Sequence, residues 1–367
     1  MKKIISRIIV LLALISAYSK VKGSVLKDTI FQNYKIDAKK IIGPNDEFWK
    51  AAGHDFLFPL AISSSGQHLF NRIEKFKSIK YLRTHYTFNN STPRDENFGQ
   101  KIGGQIIRKK TRNGYVYDFS ILNARYRQLI KHGVKPIVEF DFYPDWLVSE
   151  KGPTNSEGFV GETSSPNNWA EWQELLNAFI VNLIKEFGHD ELETWYFEVW
   201  NEPDNWPHDK LKDFFRIYDI FSAVVKSHSD KFRVGGPGCY NLFFLKPFLE
   251  HVVNGTNYVT GKKRSPIDFI SYHIYGLSGA WLNSAPDIRP SVSRFSMELL
   301  WLQRMIEKYP VLSKTQVHIN EWGVASNFER EVKDHPDLEY RNSEFSALFM
   351  VKLVDCIYAL KDNYNIN

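Results

Sequence analysis

Trp195-Tyr-Phe-Glu-Val-Trp-Asn-Glu-Pro-Asp204 is an aromatic, apolar run that delivers an Asn-Glu pair and is then stopped by proline. Aromatic and β-branched residues in a short run read as a buried strand, and Pro203 cannot continue one. A polar pair at the carboxyl tip of such a strand is where a barrel of alternating strands and helices keeps its chemistry. Walled by Trp200 and Trp206, the Glu202 carboxylate loses hydration, which favours the proton-bearing form a general acid needs. A surface glutamate at a turn is the ordinary alternative, and the density of tryptophan argues against it.

Working outward, the same unit repeats. Residues 80–86, 134–140, 194–200, 232–236, 268–275 and 316–320 read as strands. Between and after them, helical periodicity covers 119–131 (with Asp118 as cap), 168–187, 210–226, 242–253, 292–309 and 341–360. Alternating β-α units imply a parallel sheet with right-handed crossovers. A doubly wound sheet should carry a glycine-rich phosphate turn after its first strand, and none is present. The expected fold is therefore a (β/α)8 TIM barrel over residues 51–367. Residues 24–50, weakly patterned, form an N-terminal extension.

A second strand tip, Val317-His-Ile-Asn-Glu-Trp-Gly323, again presents Asn-Glu. Two carboxyls at the tips of distant strands match the pair that cleaves glycosidic bonds, one protonating the leaving oxygen, the other attacking the anomeric carbon or activating water. Sequence spacing alone leaves the retaining and inverting variants both open. Arg83 and His85 on an early strand, and His273 and Tyr275 on the strand before Glu321, are the candidates to hold such a carboxylate ionised and hydrogen-bonded. No His-x-x-x-His pair or Asp-rich loop is present, so no metal and no cofactor is expected. Ser63-Ser-Ser-Gly66 lacks the form of a nucleophile elbow.

The composition agrees. Of 367 residues, 15% are aromatic, which suits either a large core or a sugar site, and 24% are charged, which excludes a disordered chain. Two cysteines are too few for a disulfide framework or a four-ligand zinc site. The net charge of +5 misleads, because Lys2, Lys3, Arg7, Lys20 and Lys22 all precede residue 24 without an acid among them. With the apolar run Ile8–Ala17 and small residues after it, residues 1–23 read as a secretory signal peptide. Ten apolar residues cannot span about 30 Å of hydrocarbon. The remaining chain is formally neutral, which argues against a nucleic-acid partner. The expectation is a secreted or periplasmic protein, off the membrane after leader cleavage, with an oligosaccharide or polysaccharide partner.

These motifs resemble glycoside hydrolase family 39, the β-xylosidases and α-L-iduronidases. Besides residues 195–204, the resemblance runs through Phe48-Trp-Lys-Ala-Ala-Gly53, Leu82-Arg-Thr-His85, Val234-Gly-Gly-Pro-Gly238, Gly255-Thr-Asn-Tyr258, Asp268-Phe-Ile-Ser-Tyr-His273 and Asn320-Glu321. It implies a retaining (β/α)8 barrel, Glu202 as acid/base after strand four and Glu321 as nucleophile after strand seven. Asn201 would bind the hydroxyl next to the anomeric carbon. Arg83, His85, His273, Tyr275, Trp200 and Trp322 would line the sugar subsite. Phe48–Gly53 and Gly255–Gly261 look more like the iduronidases, Phe140–Leu147 and Glu321–Gly323 more like the xylosidases. The expected activity is a β-xylosidase-like exo-glycosidase. The alternatives are an iduronidase-like or endo-acting enzyme, or a carbohydrate-binding relic. With Glu321 placed after strand seven, the family's eighth strand and accessory β-domain would be missing. One wall of the barrel would then stand open unless residues 24–50 or a partner chain cover it.

Overall fold

In the computed structural model, residues 39, 47–53, 57–92, 95–99, 101–112, 114–149, 162–277, 290–326, 333, 339–341 and 343–364 are described. The chain divides into two units, Met1–Glu47 and Phe48–Asn367. The expected leader and most of the 24–50 extension lie outside the described residues. The second unit carries the fold.

Among the described residues seven parallel strands and seven long helices alternate. The strands are β1 (Ala51–Gly53), β2 (Tyr81–Thr84), β5 (Lys135–Phe140), β6 (Tyr196–Val199), β7 (Arg233–Cys239), β8 (Phe269–Tyr275) and β9 (Gln316–Gly323), adjacent in that order. The helices are α1 (Ser64–Phe76), α2 (Ser120–Lys131), α3 (Trp169–Phe187), α4 (Leu211–His228), α5 (Leu242–Asn254), α6 (Val292–Ile306) and α7 (Glu344–Tyr364). A hairpin of β3 (Ile107–Thr111) and β4 (Gly114–Asp118) interrupts the alternation after β2. The parallel, curled sheet with its outer helices is the TIM-barrel architecture expected from the sequence.

The helices form for legible reasons. The Asn168 side chain accepts the Ala170 and Glu171 amides to start α3, and Gly188 at φ 84° ends it. Between them Trp172, Leu175, Leu176, Phe179, Ile180 and Leu183 make one buried stripe. Phe179 meets the rings of Phe88, Phe119 and Phe140. Truncating it to alanine should cost about 3–5 kcal/mol. One expectation needs correction. The residue before α2 is Phe119, and Asp118 stands one place further back, accepting the Ser120 amide at 2.9 Å.

The sheet does not pair around to its start, since β1 and β9 are its two edges among the described residues. They nonetheless come close: a Cβ on Gly53 would lie 3.1 Å from the Asn320 carbonyl oxygen. Behind this seam Phe48 and Trp49, just ahead of β1, meet the ring of Tyr358 on α7 edge-on. The inner strands are buried, whereas β9 is half-buried along most of its length.

Candidate active site

The barrel interior is layered. At the amino-terminal end of the strands, Ile137, Tyr196 and Phe269 form a small apolar cluster with Tyr81 against it. The His318 ring stacks on Phe269 at 4.5 Å and meets Tyr196 edge-on. One layer up, charge takes over. Arg83 donates to Glu139 (2.5 Å), Glu198 (2.8 Å), Asn201 (3.0 Å) and Glu321 (3.5 Å). Glu198 also accepts from Ser271 and Asn320, both at 2.6 Å. Above this lie His85 between Glu139 (2.8 Å) and Asp141 (2.5 Å), and His273 between Glu202 (3.0 Å) and Glu321 (3.4 Å).

Backbone irregularities place the two glutamates. In the β8–β9 ladder Tyr272 faces Ile319 and His273 faces Glu321, so Asn320 is an extra residue. This bulge lets neighbouring residues both reach inward, Asn320 down to Glu198 and Glu321 up to the mouth. After β6, Trp200 (φ 62°) and Glu202 (φ 45°) both adopt the left-handed conformation. Such conformations cost of order 1–3 kcal/mol each and persist where the surroundings enforce them. Here the Glu202 amide donates to the Gly238 carbonyl at 2.8 Å. Gly238 itself must lack a side chain, since at φ 61° a Cβ would sit 2.9 Å from Glu198.

The electrostatics follow from the contacts. Burial alone would raise the Glu321 carboxyl, but His273, Arg83 and the Tyr275 hydroxyl (2.6 Å) hold it down at about 2. Burial disfavours charge on His273, and the two facing carboxylates overcome it, so its pKa rises. His85 rises likewise between Glu139 and Asp141. Glu139 is pushed up by burial and by Asp141, against the pull of Arg83. Asp204, two residues after Glu202, is raised to about 7 by burial and by the Glu202 charge. His318, deep among rings, is lowered to about 4 by burial.

Carboxylate oxygens of Glu202 and Glu321 and the His273 ring nitrogen all lie within 4.8 Å of one another. Retaining glycosidases hold their carboxyl pair about 5–5.5 Å apart and inverting ones about 6.5–9.5 Å. This group and a second one, His85, Glu139 and Asp141, are made of residue types that could hold a metal ion. In that second group the acceptors are taken by Arg83 and by the Tyr86 and Thr87 amides.

Arg83, Asn201, Glu202, His273, Tyr275 and Glu321 thus lie together at one site, with His85 beside them. Trp200 does not. Its ring is 0% exposed, its indole N–H donates to the Glu162 carbonyl, and it packs on Phe142, Tyr143 and Trp206. A ring without an open face cannot lie under a sugar, so Trp200 belongs to the wall. Trp322 is half-buried against the core. Sequence reading missed Glu139, Asp141, Glu198 and Ser271. The available signal was an acid inside each of two otherwise apolar strands.

The family model for glycosyl hydrolases family 39 matches residues 32–365. A β-xylosidase of Caldicellulosiruptor saccharolyticus is 26% identical over 231 residues, 62% of this chain and 43% of the relative. The α-L-iduronidase of Homo sapiens is 24% identical over 307 residues, 78% of this chain and 41% of the relative. The chain therefore spans less than half the length of either relative. Among solved structures, a family 39 β-xylosidase from Caulobacter crescentus superposes with a TM-score of 0.64 at 24% identity. That likeness covers 87% of this chain and 62% of the other.

Proposed function

The chain belongs to glycosyl hydrolase family 39, and on that premise we propose that it is a retaining exo-glycosidase removing a terminal β-linked xylose. The observation that carries this reading is the approach of Glu202 and Glu321 to within 4.8 Å around one imidazole. In the first step Glu321 attacks the anomeric carbon while Glu202 gives its proton to the departing oxygen, leaving an ester between sugar and Glu321. In the second, water loses a proton to Glu202 and attacks the same carbon, releasing the sugar and the Glu321 carboxylate. Glu321, held ionised, suits the nucleophile. His273, between the two carboxylates, orients both.

A neutral sugar is favoured over a uronide by the state of Arg83. Its guanidinium is committed to Glu139, Glu198, Asn201 and Glu321, and His85 is committed to two carboxylates. The Arg83 guanidinium is therefore not available to a substrate carboxylate, whereas His85 meets its two acids through Nδ1. Export is part of the proposal and rests on the basic, apolar, then small-residue pattern of residues 1–23. No helix among the described residues is long and apolar enough to cross a membrane.

A panel of aryl glycosides (xyloside, iduronide, arabinoside, glucoside, galactoside) tests the activity and ranks the sugars. The proposal expects fastest turnover of the β-xyloside with retained configuration in the first-formed product. A 2-fluoro xyloside should leave a stable ester on Glu321, read by peptide mass. Inverted product, or a label on another residue, would remove the double displacement. Binding without turnover of any member would leave a carbohydrate-binding relic.

A further inference from the structure

We propose that Tyr240 and Phe243 form a platform for the leaving-group side of the substrate, so that this protein acts on chains of two or more sugars. The proposal rests on the glycosidase reading above.

β7 ends at Cys239 on the catalytic face of the barrel, and α5 begins at Leu242. Phe243, in the first turn of α5, is 91% exposed, the most open large hydrophobic side chain among the described residues, and Tyr240 is 43% exposed. Single exposed apolar side chains are ordinary and by themselves mean little. What sets Tyr240 apart is how firmly it is tied to the turn that carries Glu202, and Phe243 follows it three residues on, in the first turn of the next helix. The Tyr240 amide donates to Asp204 Oδ2 at 2.8 Å, and its hydroxyl donates to Asn205 Oδ1 at 2.9 Å. Tyr272 Oη donates to the Tyr240 carbonyl at 2.7 Å. The Phe243 amide is held by the Asn241 side chain at 2.9 Å.

Glu202 supplies the proton to the departing oxygen, so its side of the site is where the rest of the sugar chain leaves. A pyranose offers an apolar face of C–H bonds, and an aromatic ring offers a flat apolar surface to meet it. Rings whose backbone is already fixed lose little freedom on binding. The occupant is therefore the sugar next to the cleaved bond, or the one beyond it.

The test compares 4-nitrophenyl β-xyloside with β-1,4-xylotriose, or the matching pair for whichever sugar the aryl panel selects. Phe243→Ala should raise KM for the trisaccharide about five- to tenfold more than KM for the aryl glycoside. Phe243→Trp, which keeps a ring, should restore most of that ratio. If the wild-type protein cleaves the aryl glycoside but the KM ratio is the same in Phe243→Ala, the platform is wrong and the glycosidase reading stands. If the wild-type protein cleaves no aryl glycoside, both fall. A change in sedimentation with the ratio unaltered would make this face a contact between two copies and overturn the platform.

Discussion

His273 and His318 sit on neighbouring strands of one barrel, both turned inward, and their surroundings drive them to opposite states. His318 is stacked on Phe269 near the amino-terminal end and kept neutral, its pKa lowered to about 4. His273 lies between Glu202 and Glu321 near the carboxyl end, its pKa raised. His273 is fully buried and His318 only half-buried, yet the more buried ring is the one whose pKa rises, so burial does not explain the difference. The partners within about 4 Å do, because an imidazolium survives desolvation only beside opposite charge. The lower interior is a packed floor, and the upper interior is a set of charges held for use.

The sharpest break in this contrast is at the top. Glu321→Ala should lower kcat by about 10^4-fold or more, since no glycosyl ester can form. Added azide should restore turnover with inverted configuration, and a loss of less than about tenfold would take Glu321 out of the reaction. Next is Arg83→Met, which strands Glu139 and Glu198 as buried acids. Breaking a buried pair this way costs about 3–5 kcal/mol. A denaturant midpoint close to wild type would show that the cluster is held by its other hydrogen bonds.

A matched pair of substitutions then weighs the two layers directly. His273→Gln should lower kcat/KM by about 10^2-fold by disordering both carboxyls. His318→Phe should change stability by no more than about 1 kcal/mol and keep the kinetics near wild type, because a ring replaces a neutral ring. Similar kinetic losses in both would erase the distinction between floor and mouth.

The smallest effect is on pH dependence of stability. His85 and His273 have raised folded-state pKa values, so their contribution is full below about 6.5 and is lost as pH rises through those values. Glu321 is depressed to about 2, so its contribution is present above its ordinary value near 4.5 and lost as pH falls towards 2. The melting temperature should therefore be greatest between about pH 4.5 and 6.5. In His273→Gln the decline above that window should be shallower, and an unaltered slope would show that His273 does not carry it.

The Glu202 and Glu321 pair stood out because each glutamate follows asparagine at the end of an apolar strand, a pattern visible without knowing the fold's closure. Glu139 and Glu198 were not. An acid inside an apolar strand can face a helix or the lumen, and only the inward parity of the whole barrel assigns it. Trp200 was misplaced for a related reason, since its positive φ rotates the ring into the wall, and no residue type announces that turn. The three residues of β1 are too few to show alternation, so that strand was beyond sequence reading, although an open wall in the barrel was expected. The β3–β4 hairpin had a signal that went unused, Asn113-Gly114 between two short alternating runs.

The seam gives Arg83 a mechanical role. Among the described residues the wall is not stitched between β1 and β9, yet β2, next to β1, is laced through the lumen to β9 by Arg83 and Glu321. The same guanidinium grips β5 and β6, and Asn320 ties β9 back to Glu198. A gaping motion of the seam must therefore stretch bonds that end on Glu321. The cylinder is braced across its bore, like a split ring held by a spoke, and the spoke's far end is the proposed nucleophile. Amide exchange at Ala52 and Glu321 should accordingly rise together in Arg83→Met, and independent rates at the two would show that the spoke carries no load.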